Sequence, residues 1–174
     1  KVDLCIDHHV SNTLYADKVC LYKTASAACE IMAEVIAHLG TDLTPMIANC
    51  LYTGMATDTG CFKFSNTTAH THRMAAQMIE AGADYVRINR IMFDTKSKSR
   101  VLLEQAALSG IEFFFDDRCA VITVTRELFV RSGAQEADLD GVSALSRQIE
   151  GVEVGVFLRE KEDGSFKVSV RTTS

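Results

Sequence analysis

Proline occurs once in this 174-residue chain, at position 45, and tryptophan does not occur at all. A single proline excludes a proline-rich spacer. No apolar run reaches the roughly 18 residues that a membrane-spanning helix needs. The opening stretch, Lys1-Val2-Asp3-Leu4-Cys5-Ile6-Asp7, has the wrong make-up for a secretory signal. There is no basic excess either: 18 Lys and Arg face 23 Asp and Glu, a net charge of −5. That balance excludes broad, sequence-independent binding to nucleic acid. It leaves open a small phosphate-bearing substrate held through metal ions. The six cysteines make no C-x-x-C pair and sit mostly in apolar stretches. They read as reduced and buried, as in a cytoplasmic protein. P-loop, G-x-G-x-x-G, H-E-x-x-H and G-x-S-x-G patterns are also missing. What is present is an ordinary globular composition, 47% hydrophobic and 24% charged, which rules out disorder as the dominant state. The length suits one domain or two small ones.

Val2–Ile6 reads as a short strand that stops at Asp7-His8-His9. In open α/β sheets, ligands bind beyond the carboxyl ends of strands. Thr24–Leu39 has helical apolar spacing and ends at Gly40. Thr44-Pro45 opens a second helix, with threonine as N-cap and proline at the first position, running towards Gly54. The segment 54–60 is rich in turn formers. Thr67 or Thr68 then caps a helix through Ile79 that stops at Gly82. A short helix follows from Tyr85, and another spans Lys96–Leu108. Beyond it the pattern changes to strand, turn, strand over 111–125, then a helix over Leu139–Ile149. Val152–Glu160 and Phe166–Arg171, joined through Asp163-Gly164, read as a β-hairpin. Helices dominate the first 109 residues and strands the rest. This predicts two lobes, an α/β layer fold and a mixed sheet with helices.

Asp7-His8-His9 is the sharpest chemical feature. In an extended segment neighbouring side chains point to opposite sides, so one histidine could bind a metal while the other faces a substrate. Asp7 could orient a ring through its N–H. Asp58, in Thr57-Asp58-Thr59-Gly60, is either a turn cap or a metal ligand. A carboxylate with two imidazoles is a partial site for Mn²⁺, Fe²⁺ or Zn²⁺. His70 and His72 read as a solvated helix start, and His38 as a histidine at a helix C-terminus. Lys96, Lys98 and Arg100 read as an exposed helix face. Arg171 could reach a phosphate or be an exposed strand end.

Taken in order, these segments resemble the DHH phosphoesterase superfamily. The likeness is to its DHHA1-containing branch of NrnA-like oligoribonucleases and 3′-phosphoadenosine-5′-phosphate (pAp) phosphatases. Ile6-Asp7-His8-His9-Val10-Ser11-Asn12 looks like the motif that names the superfamily. Ala25-Ser26-Ala27 with Glu30 resembles the helix start that follows it. The stretch from Leu51 through Thr57-Asp58-Thr59-Gly60 to Phe64 resembles the next motif, continued by Ser65-Asn66-Thr67-Thr68. Lys167-Val168-Ser169-Val170-Arg171 looks like the DHHA1 strand that reaches the active site.

The resemblance implies roles for the matched positions. His8 and Asp58 would be metal ligands. His9 would contact the scissile phosphate, with Asp7 supporting a histidine from behind. On the substrate side, Arg171 would bind a terminal phosphate and Asn12 would be structural support. It also implies hydrolysis with two Mn²⁺ ions, a bridging hydroxide attacking phosphorus in line. The substrate would be short RNA or pAp, lying between the lobes, with a homodimer as the default assembly. The implied layout is the C-terminal part of a parallel-sheet α/β/α DHH domain over 1–94, a linker helix over 95–109, and a smaller mixed-sheet α/β DHHA1 lobe over 110–174. The family carries a His/Asp cluster upstream of the DHH motif and a glycine-rich segment after the DHHA1 strand. Neither is found here, which predicts an internal fragment with an exposed sheet edge and apolar patches. The competing readings are a family II inorganic pyrophosphatase, a single-strand exonuclease, and a module that binds a nucleotide or cyclic dinucleotide without cleaving it.

Overall fold

Two short parallel strands begin the chain in a computed structural model that describes residues 1–172, apart from the Asp140 side chain. The first, β1 (Leu4–Asp7), pairs with β2 (Lys18–Leu21) so that Asp7 stands opposite Leu21. β2 is absent from the sequence reading, because four residues of weak alternation carry little signal. Three helices pack beside the strands: α1 (Ala28–His38), α2 (Pro45–Asp58) and α3 (Ala69–Glu80). α2 and α3 begin as their residues dictate. The Thr44 hydroxyl accepts the Ile47 N–H ahead of Pro45, and the Thr68 hydroxyl accepts the Thr71 N–H while Thr71 returns the bond. Leu51, Met55, Ala56, Ala75 and Met78 form the core between them.

One expectation is corrected here. The segment 54–60 is not a turn, because α2 runs through Gly54 to Asp58. Position 54 of this helix is glycine because α1 comes too close for a side chain: a Cβ there would lie 2.1 Å from Cys29 Sγ. The threonines also follow the helix, Thr57 Oγ1 bonding to the Thr53 carbonyl at 2.9 Å and Thr59 Oγ1 to that of Met55 at 2.6 Å. The turn comes just after, where Gly60, Cys61 and Phe62 all take positive φ. The Cys61 N–H closes that turn on the Ala56 carbonyl at 2.7 Å. α4 (Tyr85–Asn89), capped by Asp84, continues into a π-helical turn over Arg90–Asp94.

The chain divides into two units, Lys1–Thr95 and Lys96–Ser174. The helix α5 (Lys98–Ser109), in the region read as a linker, is part of the second unit's core, where Leu103 and Ala107 are fully buried. Lys96 and Lys98 are exposed as read and Arg100 is half-buried, but Lys96 and Arg100 are not free. Both close on the Glu104 carboxylate, at 2.7 and 3.0 Å. The second unit's sheet has the order β3 (Glu112–Phe114), β4 (Cys119–Val124), β5 (Val154–Glu160), β6 (Phe166–Thr172). The β4–β5 pair is parallel and the outer pairs are antiparallel. Between β4 and β5 lie α6 (Arg126–Ser132) and α7 (Leu139–Leu145). The sequence reading passes over α6, although Thr125 caps it and Gly133 ends it in the left-handed conformation.

The hairpin alternation is present, and its apolar side faces away from the helices. On β5 the buried residues are Gly155 and Phe157. Gly155 is needed because Ser146 Oγ lies 2.5 Å from where its Cβ would be. Across β6, Phe166, Val168 and Val170 are 47%, 58% and 58% exposed. Exposed Leu4, Tyr15 and Tyr22 also flank the two-stranded sheet. All six cysteines are free thiols, but only Cys5 is buried and Cys50 is exposed, so the expectation of buried cysteines holds in part. No helix among the described residues is long and apolar enough to cross a membrane.

Candidate metal centre

The end of β1 delivers Asp7, and the chain then turns. Asp7 Oδ1 accepts the His8 and His9 backbone N–H groups at 2.7 and 3.1 Å, and His9 Nδ1–H at 2.7 Å. Its Oδ2 accepts Asn12 Nδ2–H at 2.6 Å. One carboxylate therefore ties down the loop that carries both histidines. These bonds, that from Asn12 foremost and then that from His9, hold the Asp7 carboxyl far below the usual carboxylate range. The clamp also corrects the picture of two histidines on opposite sides. Their ring centroids are 4.4 Å apart, because the strand ends at Asp7 and alternation ends with it.

His8 sits between the two helices that follow. Its Nδ1 is 3.1 Å from the Ala25 carbonyl, just before α1. A carbonyl only accepts, so Nδ1 carries the hydrogen. In the neutral ring Nε2 then presents a lone pair, 3.4 Å from Asp58 Oδ2 at the end of α2. Two acceptors facing each other at this distance call for a shared cation. Metal bonds of about 2.0–2.2 Å to nitrogen and oxygen, meeting at ordinary coordination angles, set such ligands about 3.0–3.5 Å apart. The donor set and spacing fit a divalent ion. The His8 side chain is 13% exposed and that of Asp58 46%, so the pair is open from one side.

Asp7, His8 and His9 also bring ligand atoms within 4.8 Å of one another. Three N–H groups already occupy Asp7 Oδ1, so the better open pair is His8 Nε2 with Asp58. His9, 67% exposed, presents Nε2 outward while Asp7 fixes its other nitrogen. Asn12 engages both ends of its amide inside the loop: Nδ2 on Asp7, and Oδ1 accepting the Leu14 N–H at 2.7 Å.

Behind these residues lies a polar network whose roles the sequence reading did not assign. Ser26 Oγ donates to the buried Glu30 carboxylate at 2.6 Å, and Thr71 Oγ1 donates to Ser26 Oγ at 3.1 Å. Asn66 Nδ2 donates to the Ser26 and Asp58 carbonyls, at 3.0 and 3.2 Å. Asn66 thus ties the segment that orients His8 to the helix end that carries Asp58. The signal was on the page, since Ser26, Glu30 and Asn66 all lie in the motif segments.

The other histidines stand apart from this centre. His70 faces Glu34 at 3.6 Å, His72 packs on Phe62, and His38 bonds the Glu34 carbonyl at 2.8 Å. Arg171 belongs to the second unit. It lies on β6 opposite Gly155, on the strand side shared with Ser169 and Lys167, and lines a cavity of about 200 Å³.

No family model matches the chain. Curated relatives do. A bifunctional oligoribonuclease and PAP phosphatase NrnA from Thermus thermophilus is 34% identical over 168 residues, 96% of this chain and 49% of that protein. The protein of the same name from Bacillus subtilis is 24% identical over 165 residues, 91% of this chain and 51% of that one. Among solved structures, an exopolyphosphatase-related protein from Bacteroides fragilis superposes with a TM-score of 0.90 at 27% identity, over 99% of this chain and 51% of that one. The chain therefore spans about half the length of the curated relatives it matches.

Proposed function

We propose that this chain, a DHH-superfamily chain related to the NrnA proteins along nearly its whole length, acts in metal-dependent hydrolysis of phosphate esters in short oligoribonucleotides and pAp. The observation that carries the reading is the His8 Nε2–Asp58 pair at 3.4 Å, beside a histidine held by Asp7. His8 and Asp58 would hold one Mn²⁺ of a two-ion site. The bound metal would supply a hydroxide at neutral pH and neutralise charge on the phosphate oxygens. The Ala25 carbonyl holds His8 in the tautomer that leaves Nε2 free. Asp7 holds His9 Nδ1–H, so that Nε2 faces solvent and can meet a phosphate oxygen. Asn12 positions Asp7, and Arg171 supplies a guanidinium for a substrate phosphate. Six free thiols suit a cytoplasmic setting, and a homodimer is the proposed assembly.

The test is Mn²⁺ titration of the full-length protein, with and without Asp58→Ala, alongside release of mononucleotide from short RNA and of phosphate from pAp. The expected result is a loss of metal affinity of roughly tenfold or more in the variant, with hydrolysis lost in parallel. Unchanged metal affinity in the variant would remove the basis of the proposal.

A further inference from the structure

On β6, Lys167, Ser169 and Arg171 alternate with Phe166, Val168 and Val170, so the three polar side chains share one side of the strand. That side lines the cavity of about 200 Å³. Three cations reach it: Arg159, Lys167 and Arg171. Arg159 is already neutralised, because its guanidinium makes a two-pronged pair with Glu136 and lies 5.6 Å over the Phe129 ring. Lys167 and Arg171 have no carboxylate partner among the described residues. Glu160, next to the residue that faces Lys167 across the hairpin, accepts the Arg126 backbone N–H at 2.9 Å. Glu162 pairs with Arg126 at 3.0 Å, and Asp163 accepts both the hydroxyl and the N–H of Ser165. Lys167 and Arg171 thus stand on one edge strand without an ion-pair partner among the described residues, with the Ser169 hydroxyl between them.

Their spacing matters. Four residues along a strand separate them by about 13 Å. Side chains that stand off one strand in the same direction keep that separation towards their tips. They are better placed for two phosphates of a chain than for two oxygens of one phosphate. We infer that Lys167 is a second phosphate-binding residue, which engages the backbone of an oligoribonucleotide beyond the phosphate taken by Arg171 and so grades affinity by substrate length. This rests on the proposed hydrolysis of short RNA and names a determinant of its length preference. pAp carries its phosphates on one nucleoside and gains less from Lys167 than a chain of several nucleotides does.

The experiment uses the full-length protein with Lys167→Ala and Lys167→Arg, on pAp and on ribonucleotides of two to five residues. Binding of the same RNAs in EDTA is read separately by fluorescence anisotropy. For the pentamer, Lys167→Ala should lower kcat/KM by about tenfold through KM. The loss for pAp should be smaller by threefold or more. The salt dependence of pentamer binding should fall by roughly 0.7 in log–log slope, as for one lost phosphate contact on a single strand. Lys167→Arg should retain the length preference. If wild-type protein cleaves RNA but Lys167→Ala loses the same factor on every substrate, or none, the inference about Lys167 is overturned and the hydrolase reading survives. If wild-type protein cleaves neither RNA nor pAp, the hydrolase reading is overturned and the inference goes with it.

Discussion

Gly54 offers a test of how the helices set the proposed metal centre. It lies inside α2, where glycine costs about 1 kcal/mol relative to alanine. On an open helix face Gly54→Ala would therefore stabilise by about that amount. Here the new Cβ would lie 2.1 Å from Cys29 Sγ and 3.1 Å from Cys29 Cβ. The Cβ contact asks for a few tenths of an ångström, whereas the sulfur contact is shorter than any real Cβ makes and requires α1 and α2 to shift apart. Forcing a methyl group into a packed interior costs about 1–3 kcal/mol. Set against the propensity gain, the net effect is a destabilisation of about 1 kcal/mol. Equilibrium urea unfolding reads it directly, in Gly54→Ala, Cys29→Ala and the double variant. With the sulfur gone, the 2.1 Å contact disappears, and Gly54→Ala should become neutral or stabilising in that background. The cycle should show a coupling of about 1 kcal/mol.

The same substitution has a functional readout. The Ala25 carbonyl stands just before α1 and Asp58 ends α2, while His8 reaches both. Prising the helices apart should weaken Mn²⁺ binding severalfold in Gly54→Ala and restore it in the double variant. Stabilisation by Gly54→Ala alone, with metal binding unchanged, would refute the close-packing argument.

Two further perturbations follow from the hydrogen-bond geometry. Asp7→Asn places an amide NH₂ against that of Asn12 and leaves His9 Nδ1–H with a neutral acceptor; kcat/KM should fall on the order of tenfold. Adding Asn12→Asp restores a donor–acceptor match and should recover part of the loss, whereas no recovery would count against Asn12 as the residue that positions Asp7. In the second unit, Glu104 is desolvated, yet bonds from Lys96 and Arg100 bring its pKa below the ordinary value. A depressed folded-state pKa adds stability above the unfolded value, near 4.3, and that contribution is lost as pH falls through the folded value. Glu104→Gln should therefore cost on the order of 2 kcal/mol at pH 7, and the difference from wild type should shrink between pH 5 and pH 3 in urea unfolding. A constant difference across that range would show that the ion pairs are not its source.

How much of this could be read from the residues depended on whether the signal was local. Thr44-Pro45, Thr68 and the Asp163-Gly164 hairpin declare themselves, because a cap or turn is decided by its own few residues. Gly54 misleads for the same reason. Its local meaning is a break, while its actual use is contact with Cys29, twenty-five positions away. β2 and α6 were missed because short elements have little periodicity, and their stability comes from neighbours: β1 for one, α5 for the other. The site shows the same division. Asp7, His8, His9 and Asp58 stand out by residue type, but which nitrogen faces which oxygen depends on Ala25 and Asn66, and on the distance between α1 and α2.

That dependence bears on how the centre could work. Asp7 is held inside its own loop, whereas the other groups around His8 are tied to distant segments. Asp7 is fixed by Asn12, the Ala25 carbonyl precedes the Ser26–Glu30–Thr71 network, and Asp58 ends a helix tied back through Asn66. Each tie belongs to the first unit, so the His8–Asp58 spacing is a property of that unit's core. A ligand pair set by a packed core is preorganised, and little reorganisation remains to be done when an ion binds. Arg171 and Lys167 sit on a different unit, on an edge strand with its own sheet and its own core. The proposed metal site and the proposed phosphate contacts therefore lie on different compact units. Substitutions in the Gly54 contact should change metal affinity without changing the length preference read at Lys167, and substitutions at Lys167 should do the reverse.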